Sequence, residues 1–350
     1  MTGSRQFHCF SDIHCHVYLQ FDKNLSEPSW GTYSTRLFHC LASMIHVFDE
    51  ALVESVQPVV VIPGDIFHIR GKVLTEVFNA VKRVFEWAIL NGVEIIAIPG
   101  NHDYAFQDRP LHSLEGLRPL GVKVIEEPNY VYDTISLKDI GFIGLPYSAN
   151  EEEIRKQLKR TGKKAYKIPI VGLFHCQIKG VAFESGFTSQ EGVSRKAFPK
   201  NLSLILNGHH HTPKKLSKRF FNVGSLLGQS FSDANSRRGY WKIKIDGEHL
   251  IPIFKQNKIV PSFMDVDMNS SELSVKDIPG NYIRLTNIDP FKLKEMEQFL
   301  LKHKAAGVVT SLSPLQPQVT EEQVNEIEFK PFDSLVTLFE NYMALKEVKK

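Results

Sequence analysis

Polar side chains that could bind metal ions follow directly after short apolar runs at five places in the sequence. They are Asp12 and His14, Asp65, Asn101 and His102, His175, and His209 and His211. Each apolar run is typical of a buried strand. The carboxyl ends of parallel strands meet at one edge of an open α/β sheet, where such sheets bind ligands. The sequence therefore predicts that these side chains converge.

Seven oxygen and nitrogen donors are too many for one ion and suit two, with His102 left over. Two ions about 3.5–4 Å apart catalyse in-line displacement at phosphorus and need a carboxylate between them. Asp65 is the natural bridge, because it is the lone carboxylate of its motif. Imidazole, carboxylate and amide ligands without cysteine favour Mn²⁺, Fe²⁺ or Zn²⁺ over Mg²⁺ or Ca²⁺.

Two residues next to these ligands are candidates for proton transfer. His102 is placed to stabilise or protonate the leaving oxygen, and Asp103 could orient its imidazole. An alternative is that Asn101 and Asp103 are ordinary turn residues after Pro99-Gly100. In the triplet at 209–211 the outer two histidines share a side of an extended chain, as Asp12 and His14 do, whereas His210 faces away. His16 is interpreted as a surface residue.

The elements that must position these residues follow a strand–helix alternation. Strands are predicted at 6–11, 58–63 and 93–98, with amphipathic helices at 34–56 and 72–90 between them. This spacing indicates a parallel sheet with right-handed crossovers. Strands at 168–174 and 202–206 follow, and the stretches 220–228 and 239–254 are predicted to close a second sheet. A small α+β unit is predicted from residue 261, and an amphipathic tail from residue 332.

Composition is typical of a soluble globular protein. The 350 residues are 42% hydrophobic and 23% charged, with a net charge of +3. No apolar run has the roughly 18 residues of a membrane span, and the N-terminus lacks the apolar core of a signal peptide. The four cysteines show no C-x-x-C pairing, so the simplest inference is a reducing, cytoplasmic compartment.

The order of the motifs resembles that of the calcineurin-like metallophosphoesterases. The shared motifs are D-x-H (Asp12, His14), G-D (Gly64, Asp65), G-N-H-D (residues 100–103), a lone His175 and G-H-x-H (Gly208, His209, His211). The resemblance implies a four-layer α/β/β/α sandwich. It implies that one ion binds Asp12, His14, Asp65 and His211. It implies that the other binds Asp65, Asn101, His175 and His209, with His102 as the catalytic histidine.

Further details are similar to the SbcD-type DNA break-repair nucleases, in a compact, phage-like form. They are His68 after Gly64-Asp-Ile-Phe, the run Arg109-Pro-Leu-His, and residues 222–232 followed by Arg237-Arg238-Gly239-Tyr240. The resemblance implies a nuclease domain at 1–260 and a small capping domain at 261–313. A linker and a helix that docks on an SbcC-type ABC ATPase would occupy 314–350. It also implies a homodimer through helices of the nuclease domain.

The leading prediction is thus a Mn²⁺-dependent DNA exonuclease and endonuclease subunit of DNA repair and recombination, with His102, His68 and Asp103 as catalytic residues. One alternative is a phosphomonoesterase or small-molecule phosphodiesterase of the same fold. Another is a scaffold without activity, which the intact ligand set disfavours. Packing of the tail on its own domain is as plausible as docking. Basic residues near Lys214 and Arg237 could contact phosphates or simply face solvent.

Overall fold

The computed structural model describes residues 5–23, 25–27, 31–106, 111–128, 131–134, 136–181, 188–269 and 273–311. One compact unit comprises Met1–Thr310. Arg109, Pro110, the predicted linker and the predicted tail helix lie outside the described residues, as do residues 312 and 313 at the end of the predicted capping domain.

The described chain contains four α-helices and seventeen strands. The helices are α1 (Thr35–Glu54), α2 (Thr75–Leu90), α3 (Glu151–Gly162) and α4 (Leu293–Lys302). The first nine strands are β1 (Gln6–Cys9), β2 (Leu25–Glu27), β3 (Gly31–Tyr33), β4 (Val59–Ile62), β5 (Glu94–Ala97), β6 (Lys123–Val124), β7 (Tyr132–Asp133), β8 (Gly141–Leu145) and β9 (Ile170–Phe174). The others are β10 (Leu204–Asn207), β11 (Lys214–Lys215), β12 (Phe220–Asn222), β13 (Gly239–Asp246), β14 (His249–Gln256), β15 (Phe263–Asp267), β16 (Tyr282–Thr286) and β17 (Gly307–Ser311).

The first sheet has the strand order β14-β13-β1-β4-β5-β6. Strands β1, β4, β5 and β6 are parallel, and β13 adds to β1 in antiparallel register. Helices α1 and α2 cover its outer face, because their apolar stripes bury Leu37, Met44, Phe48 and Phe85 against the sheet. This confirms the predicted parallel core with its two crossover helices.

The second sheet has the order β11-β12-β10-β9-β8-β7, with β8, β9, β10 and β12 parallel. Its inner face packs against the first sheet through a core that includes Phe7, Phe142 and Trp241. Its outer face is covered by α3, which buries Ile154 and Leu158. The layers are therefore α, β, β and α, and the predicted four-layer sandwich is confirmed.

Two predictions about the later strands are wrong. The stretch 239–254 forms the hairpin β13–β14, which joins the first sheet through β1 rather than the second. Asp246 pairs with His249, so the hairpin turns at Gly247-Glu248, and Gly247 at the first turn position supplies the positive φ of +57°. The strand predicted at 220–228 ends at Asn222, because the chain leaves the sheet to pass the ligand-bearing loops.

The chain after residue 261 forms a separate three-stranded sheet, β15-β16-β17, and α4 packs against it. This is the predicted small α+β unit, although the domain boundaries themselves stay a prediction. Between β1 and α1, strands β2 and β3 form a separate short antiparallel pair. Within the described ranges, no helix combines the length and the apolar character needed to cross a membrane.

Candidate metal centre

All seven predicted ligands lie together at the carboxyl edges of the two sheets. The first sheet contributes Asp12, His14, Asp65 and Asn101 after β1, β4 and β5, and the second contributes His175, His209 and His211 after β9 and β10. Side-chain donors come within 4.8 Å of one another in the groups Asp12–His14–His211 and Asp12–Asp65–His175. The centre therefore lies where the two sheets meet.

Asp65 stands between the two halves of this cluster. Its Oδ2 lies 3.3 Å from Nε2 of His175 and 3.7 Å from Nε2 of His14. Asn101 lies on the side of His175, with Oδ1 2.9 Å from Nε2 of His175 and 3.0 Å from Nδ1 of His209. A carboxylate with an imidazole on either side is what a bridging ligand requires.

The other half of the cluster is formed by Asp12, His14 and His211. The two Nε2 atoms of His14 and His211 are 3.1 Å apart. The Asp12 carboxylate accepts the backbone N–H of His209 at 3.0 Å, which ties the end of β1 to the loop after β10. This half contains the donors that the motif resemblance assigns to one ion.

Four of these residues adopt a left-handed backbone conformation. Their φ angles are 51° for Asp12, 49° for His14, 56° for Asp65 and 79° for His209. The expectation that Asp12 and His14 share one side of an extended chain is therefore wrong, since β1 ends at Cys9 and the chain curls. Non-glycine residues in this region cost about 1–3 kcal/mol each and concentrate at functional sites.

Glycines make room for the two central loops. Gly64 has φ +92°, and a Cβ there would lie 2.7 Å from the Cα of Gly100. A Cβ on Gly100 would in turn collide with the Asp65 side chain. Both glycines are therefore needed because the G-D and G-N-H-D loops touch each other, and Gly100 does not need a positive φ.

Asp103 has a different role from the predicted one. Its buried carboxylate accepts the backbone N–H groups of Asp65, Ile66, Phe67 and Gly100 at 2.8–3.1 Å. The imidazole of His102 is instead held through Nδ1 by the backbone carbonyl of His68. Asp103 therefore positions the loop that presents Asp65. Burial, together with the Asp65 carboxylate, raises the pKa of Asp103 to about 7.

His102 and His68 lie side by side at the mouth of the centre. Their rings stack with centroids 5.6 Å apart and planes inclined by 16°. Because the carbonyl of His68 accepts from Nδ1 of His102, Nε2 is the ring nitrogen of His102 that this contact leaves available. Burial lowers the pKa of His68 to about 4, helped by the nearby His102 and His16, so this ring is neutral at pH 7.

Charge at the centre is concentrated on Asp65 and His175. Burial alone would raise the pKa of Asp65, but the imidazoles of His175 and His14 hold it well below its usual range. Burial alone would lower the pKa of His175, but the Asp65 carboxylate raises it to about 9. Burial lowers the pKa values of His14 and His209, the latter to about 3. Without a metal ion, the protonated His175 neutralises Asp65.

The donor set fits divalent cations. Asp12 and Asp65 are almost fully buried, and burial raises the pKa of Asp12. The buried Nδ1 atom of His14 has no hydrogen-bond partner among the described residues, whereas Nδ1 of His175 lies 2.7 Å from the carbonyl of Pro63. That contact fixes the tautomer that directs Nε2 toward Asp65. Buried carboxylates among neutral imidazoles are stabilised by a cation.

Several supporting residues escaped the sequence analysis. Asp233 lies 3.9 Å from Nδ1 of His211 and 3.2 Å from Arg238, so it orients that imidazole. Gln229 donates its amide to the carbonyl of Ile13 at 3.0 Å. Both lie in or just after the run 222–232, whose resemblance to the nucleases was the available signal, but their contacts are formed only by the fold.

Three further residues around the centre were also the subject of expectations. His16 is only half-exposed and packs against His68, with ring centroids 5.4 Å apart. His210 faces away as predicted, because it is buried and its Nε2 accepts the N–H of Ile178. Arg238 is buried beside Asp233 rather than exposed for phosphate contact, whereas Arg237 is exposed.

A family model and several solved structures match parts of this chain. The family model described as calcineurin-like phosphoesterase matches residues 6–213. No curated protein sequence matches the chain. Solved structures similar to it include a 5'-nucleotidase precursor from Thermus thermophilus, at 15% identity and TM-score 0.39, covering 71% of this chain and 53% of that one. Another is the NAD nucleotidase of Haemophilus influenzae, at 13% identity and TM-score 0.36, covering 85% and 60%. The chain thus spans less than two thirds of either structure.

Proposed function

The chain belongs to the calcineurin-like phosphoesterase family, and from that premise we propose that it is a DNA nuclease that hydrolyses phosphodiester bonds with two Mn²⁺ ions. The family hydrolyses phosphoester bonds with divalent metal ions. The observation that carries the proposal is Asp65, whose Oδ2 lies 3.3 Å from His175 and 3.7 Å from His14. This is the arrangement a shared carboxylate needs in a two-metal site.

The residues of the centre divide the work. Asp12, His14, Asp65 and His211 would hold one ion, and Asn101, His175 and His209 would hold the other together with Asp65. The ions, when bound, lower the pKa of a water and neutralise the phosphate oxygens. His102, whose Nδ1–H is held by the His68 carbonyl, would act as an imidazolium that gives its Nε2 proton to the leaving oxygen and becomes the neutral ring. His68 stacks on His102 and keeps that ring in place.

Support for DNA as the substrate comes from the residues around His102. His68 stands where the SbcD-type sequences carry their second histidine, and its ring lies against both His102 and His16. These imidazoles lie in a row along the mouth of the centre. A diester has a group on each side of the phosphorus, so its binding requires contacts there as well as at the metal ions. Support for Mn²⁺ is the mixed imidazole, carboxylate and amide donor set.

A small-ester hydrolase is the second candidate, and one feature favours it. A cavity of about 150 Å³ lies beside His209 and is lined by Tyr147, Gln177 and Glu191. The Tyr147 ring stacks on His209 at 6.2 Å. A cavity of this size suits a single small group, such as one base of a mononucleotide, next to the metal centre.

Partners belong to the proposal as well. We expect an SbcC-type ABC ATPase to bind the tail from residue 332. We also expect a homodimer through the helices of the first layer. Support for the dimer is one exposed apolar side chain near the end of each helix, Val53 at 83% and Leu90 at 81% exposure.

A substrate panel tests the proposed function. The full chain with Mn²⁺ should hydrolyse linear duplex and single-stranded DNA, and a thymidine phosphodiester, faster than p-nitrophenyl phosphate. Replacement of His102 by Gln should abolish hydrolysis while leaving the bound Mn²⁺ unchanged, because His102 moves a proton and is not a ligand. Preference for the monoester would reject the nuclease in favour of the small-ester hydrolase. Unchanged turnover of the His102→Gln variant would refute the role of His102 in proton transfer.

A further inference from the structure

Positive charge that the metal centre does not use is concentrated in one stretch of the sequence. Residues 154–219 contain fifteen lysines and arginines and only two acidic residues, Glu184 and Glu191. The rest of the chain contains 27 lysines and arginines and 37 acidic residues. The modest net charge of the whole chain therefore conceals a strongly basic segment within an acidic remainder.

The fold gathers much of this charge into one surface. The side-chain amide of Asn201 donates to the carbonyls of Thr161 and Lys164, at 2.9 and 2.7 Å, which joins the end of α3 to the start of β10. The guanidinium of Arg219 donates to the carbonyls of Pro199 and Leu202, at 2.6 and 3.0 Å. Three segments that are distant in the sequence, around residues 163, 200 and 218, are thus in contact.

We define the basic rim as five exposed cationic residues on these three segments. They are Arg160, Lys163, Lys167, Lys200 and Lys218. In the stretch 154–219, the part of the chain that the structure describes contains one carboxylate, that of Glu191, and it lines the cavity beside Tyr147 and His209. The three segments that form the rim therefore contribute no acidic side chain among the described residues.

The rim lies at the edge of the second sheet opposite to the metal centre. Strands β9, β10 and β12 are parallel, and β9 and β10 lead into the ligands His175 and His209. The rim residues Lys167, Lys200 and Lys218 precede these same three strands, so they lie at the amino ends. Strands of four or five residues place the two edges about 13–17 Å apart.

We infer that the basic rim binds the phosphate backbone of duplex DNA at a second contact, remote from the site of cleavage. Flexible lysines on an exposed surface bind phosphates as point charges and need no base contact, so this binding is independent of sequence. A separation of about 13–17 Å corresponds to about four or five base pairs of B-DNA. One duplex is thus long enough to contact both edges. The inference rests on the proposed nuclease function for its choice of DNA over other polyanions.

Charge reversal tests the rim against a matched control. The rim variant carries Lys163→Glu, Lys167→Glu and Lys200→Glu. The control carries Lys138→Glu, Lys244→Glu and Lys258→Glu, which are exposed lysines outside the basic segment, so both variants lose the same charge. The full chain is loaded with Mn²⁺, and its binding to a phosphorothioate duplex of about three helical turns is measured by fluorescence anisotropy at low and at physiological salt. Turnover of bis(p-nitrophenyl) phosphate is measured in parallel.

The rim variant should bind the duplex about tenfold more weakly or worse at low salt, with a shallower salt dependence, since each neutralised phosphate adds about 0.9 to the slope. The control should bind like the unchanged chain, and turnover of the small diester should be the same in all three. Equal weakening in both variants, no weakening in either, or no duplex binding by the unchanged chain would each overturn the inference.

Two further outcomes keep the inference separate from the proposed function. If the rim variant loses turnover of the small diester, the same three lysines are changed to Gln, and the binding comparison is decided on that variant. If the chain cleaves DNA and the rim substitutions do not change DNA binding, the rim inference is rejected and the nuclease proposal stands. If binding depends on the rim but unmodified DNA is not cleaved, the nuclease proposal is rejected and the rim inference stands.

Discussion

Strand β1 contributes to two clusters of imidazole and carboxylate groups, and they differ in one respect. Its carboxyl end leads into Asp12 and the metal centre. Its middle residue, His8, is buried beneath α1 and lies within 4.8 Å of Glu50 and Glu54. By residue type alone, both clusters could bind a divalent ion. We refer to the group His8, Glu50, Glu54 and Lys242 as the α1 cluster.

The α1 cluster already contains a cation. The ammonium of Lys242 lies 2.8 Å from both carboxylate oxygens of Glu54, and the amide of Gln6 donates to the same carboxylate at 2.9 Å. In contrast, the contacts of Asp12 and Asp65 in the described chain are to backbone N–H groups, imidazoles and the Ser11 side chain, none of which is an ammonium. The candidate metal centre thus differs from the α1 cluster in having buried carboxylates that imidazoles surround and that no ammonium neutralises in the described chain. The α1 cluster is a structural ion pair.

The largest expected effect separates the two clusters by activity. Asp65→Asn removes the carboxylate between the two halves of the centre, so kcat/KM for bis(p-nitrophenyl) phosphate should fall by at least about 10³-fold, or about 4 kcal/mol. Bound Mn²⁺, measured by atomic emission, should fall with it. Glu54→Gln is the matched change in the α1 cluster, and it should leave kcat/KM within about twofold because the clusters are independent.

The control variant Glu54→Gln should instead be less stable than the unchanged chain. Glu54→Gln leaves the buried Lys242 without its carboxylate, so the free energy of unfolding should fall by about 2 kcal/mol in a denaturant titration. If Glu54→Gln abolished activity without unfolding the chain, the distinction between the two clusters would be lost. Full activity of Asp65→Asn would show that no shared carboxylate is needed.

The second prediction concerns protons. The pKa of His175 is raised to about 9 by Asp65, and only the neutral imidazole binds a metal ion. Affinity for Mn²⁺ should therefore rise about tenfold per pH unit between about pH 6.5 and 9. The metal-free chain should lose stability over the same range, because a raised pKa stabilises the fold below the unfolded pKa and that stability disappears as pH passes the folded value.

Calorimetric titration of Mn²⁺ near neutral pH, in two buffers with different ionisation enthalpies, measures the proton released. About one proton per chain should leave the centre. His8 provides the comparison, because burial lowers its pKa to about 4 and it is neutral at this pH. A His8→Gln variant should release the same number of protons as the unchanged chain. Absence of proton release would mean that Asp65 and His175 are not an ion pair in the metal-free chain.

The sequence predicted the convergence of the candidate ligands better than the geometry that presents them. Five apolar runs followed by Asp, Asn or His were enough to place these side chains at the carboxyl ends of parallel strands, because parallel strands share their polarity. Two features were not predictable, the left-handed backbone at Asp12 and the four backbone hydrogen bonds that the Asp103 carboxylate accepts. Both depend on contacts between separate loops. Asp233 was missed for the same reason, as its partner His211 is 22 positions away.

The smallest expected effect comes from removing one tyrosine hydroxyl beside each cluster. The Tyr18 hydroxyl lies 3.1 Å from the carbonyl of His14 and 3.2 Å from Oε1 of Gln229, and the Tyr240 hydroxyl donates to Glu50 at 3.1 Å. Either change to Phe should lower the free energy of unfolding by about 1 kcal/mol in a denaturant titration. Tyr18→Phe alone should also lower kcat for the small diester about threefold, because the loop bearing His14 loses a support. Equal kcat values for the two variants would mean that backbone strain and packing suffice to hold His14 in place.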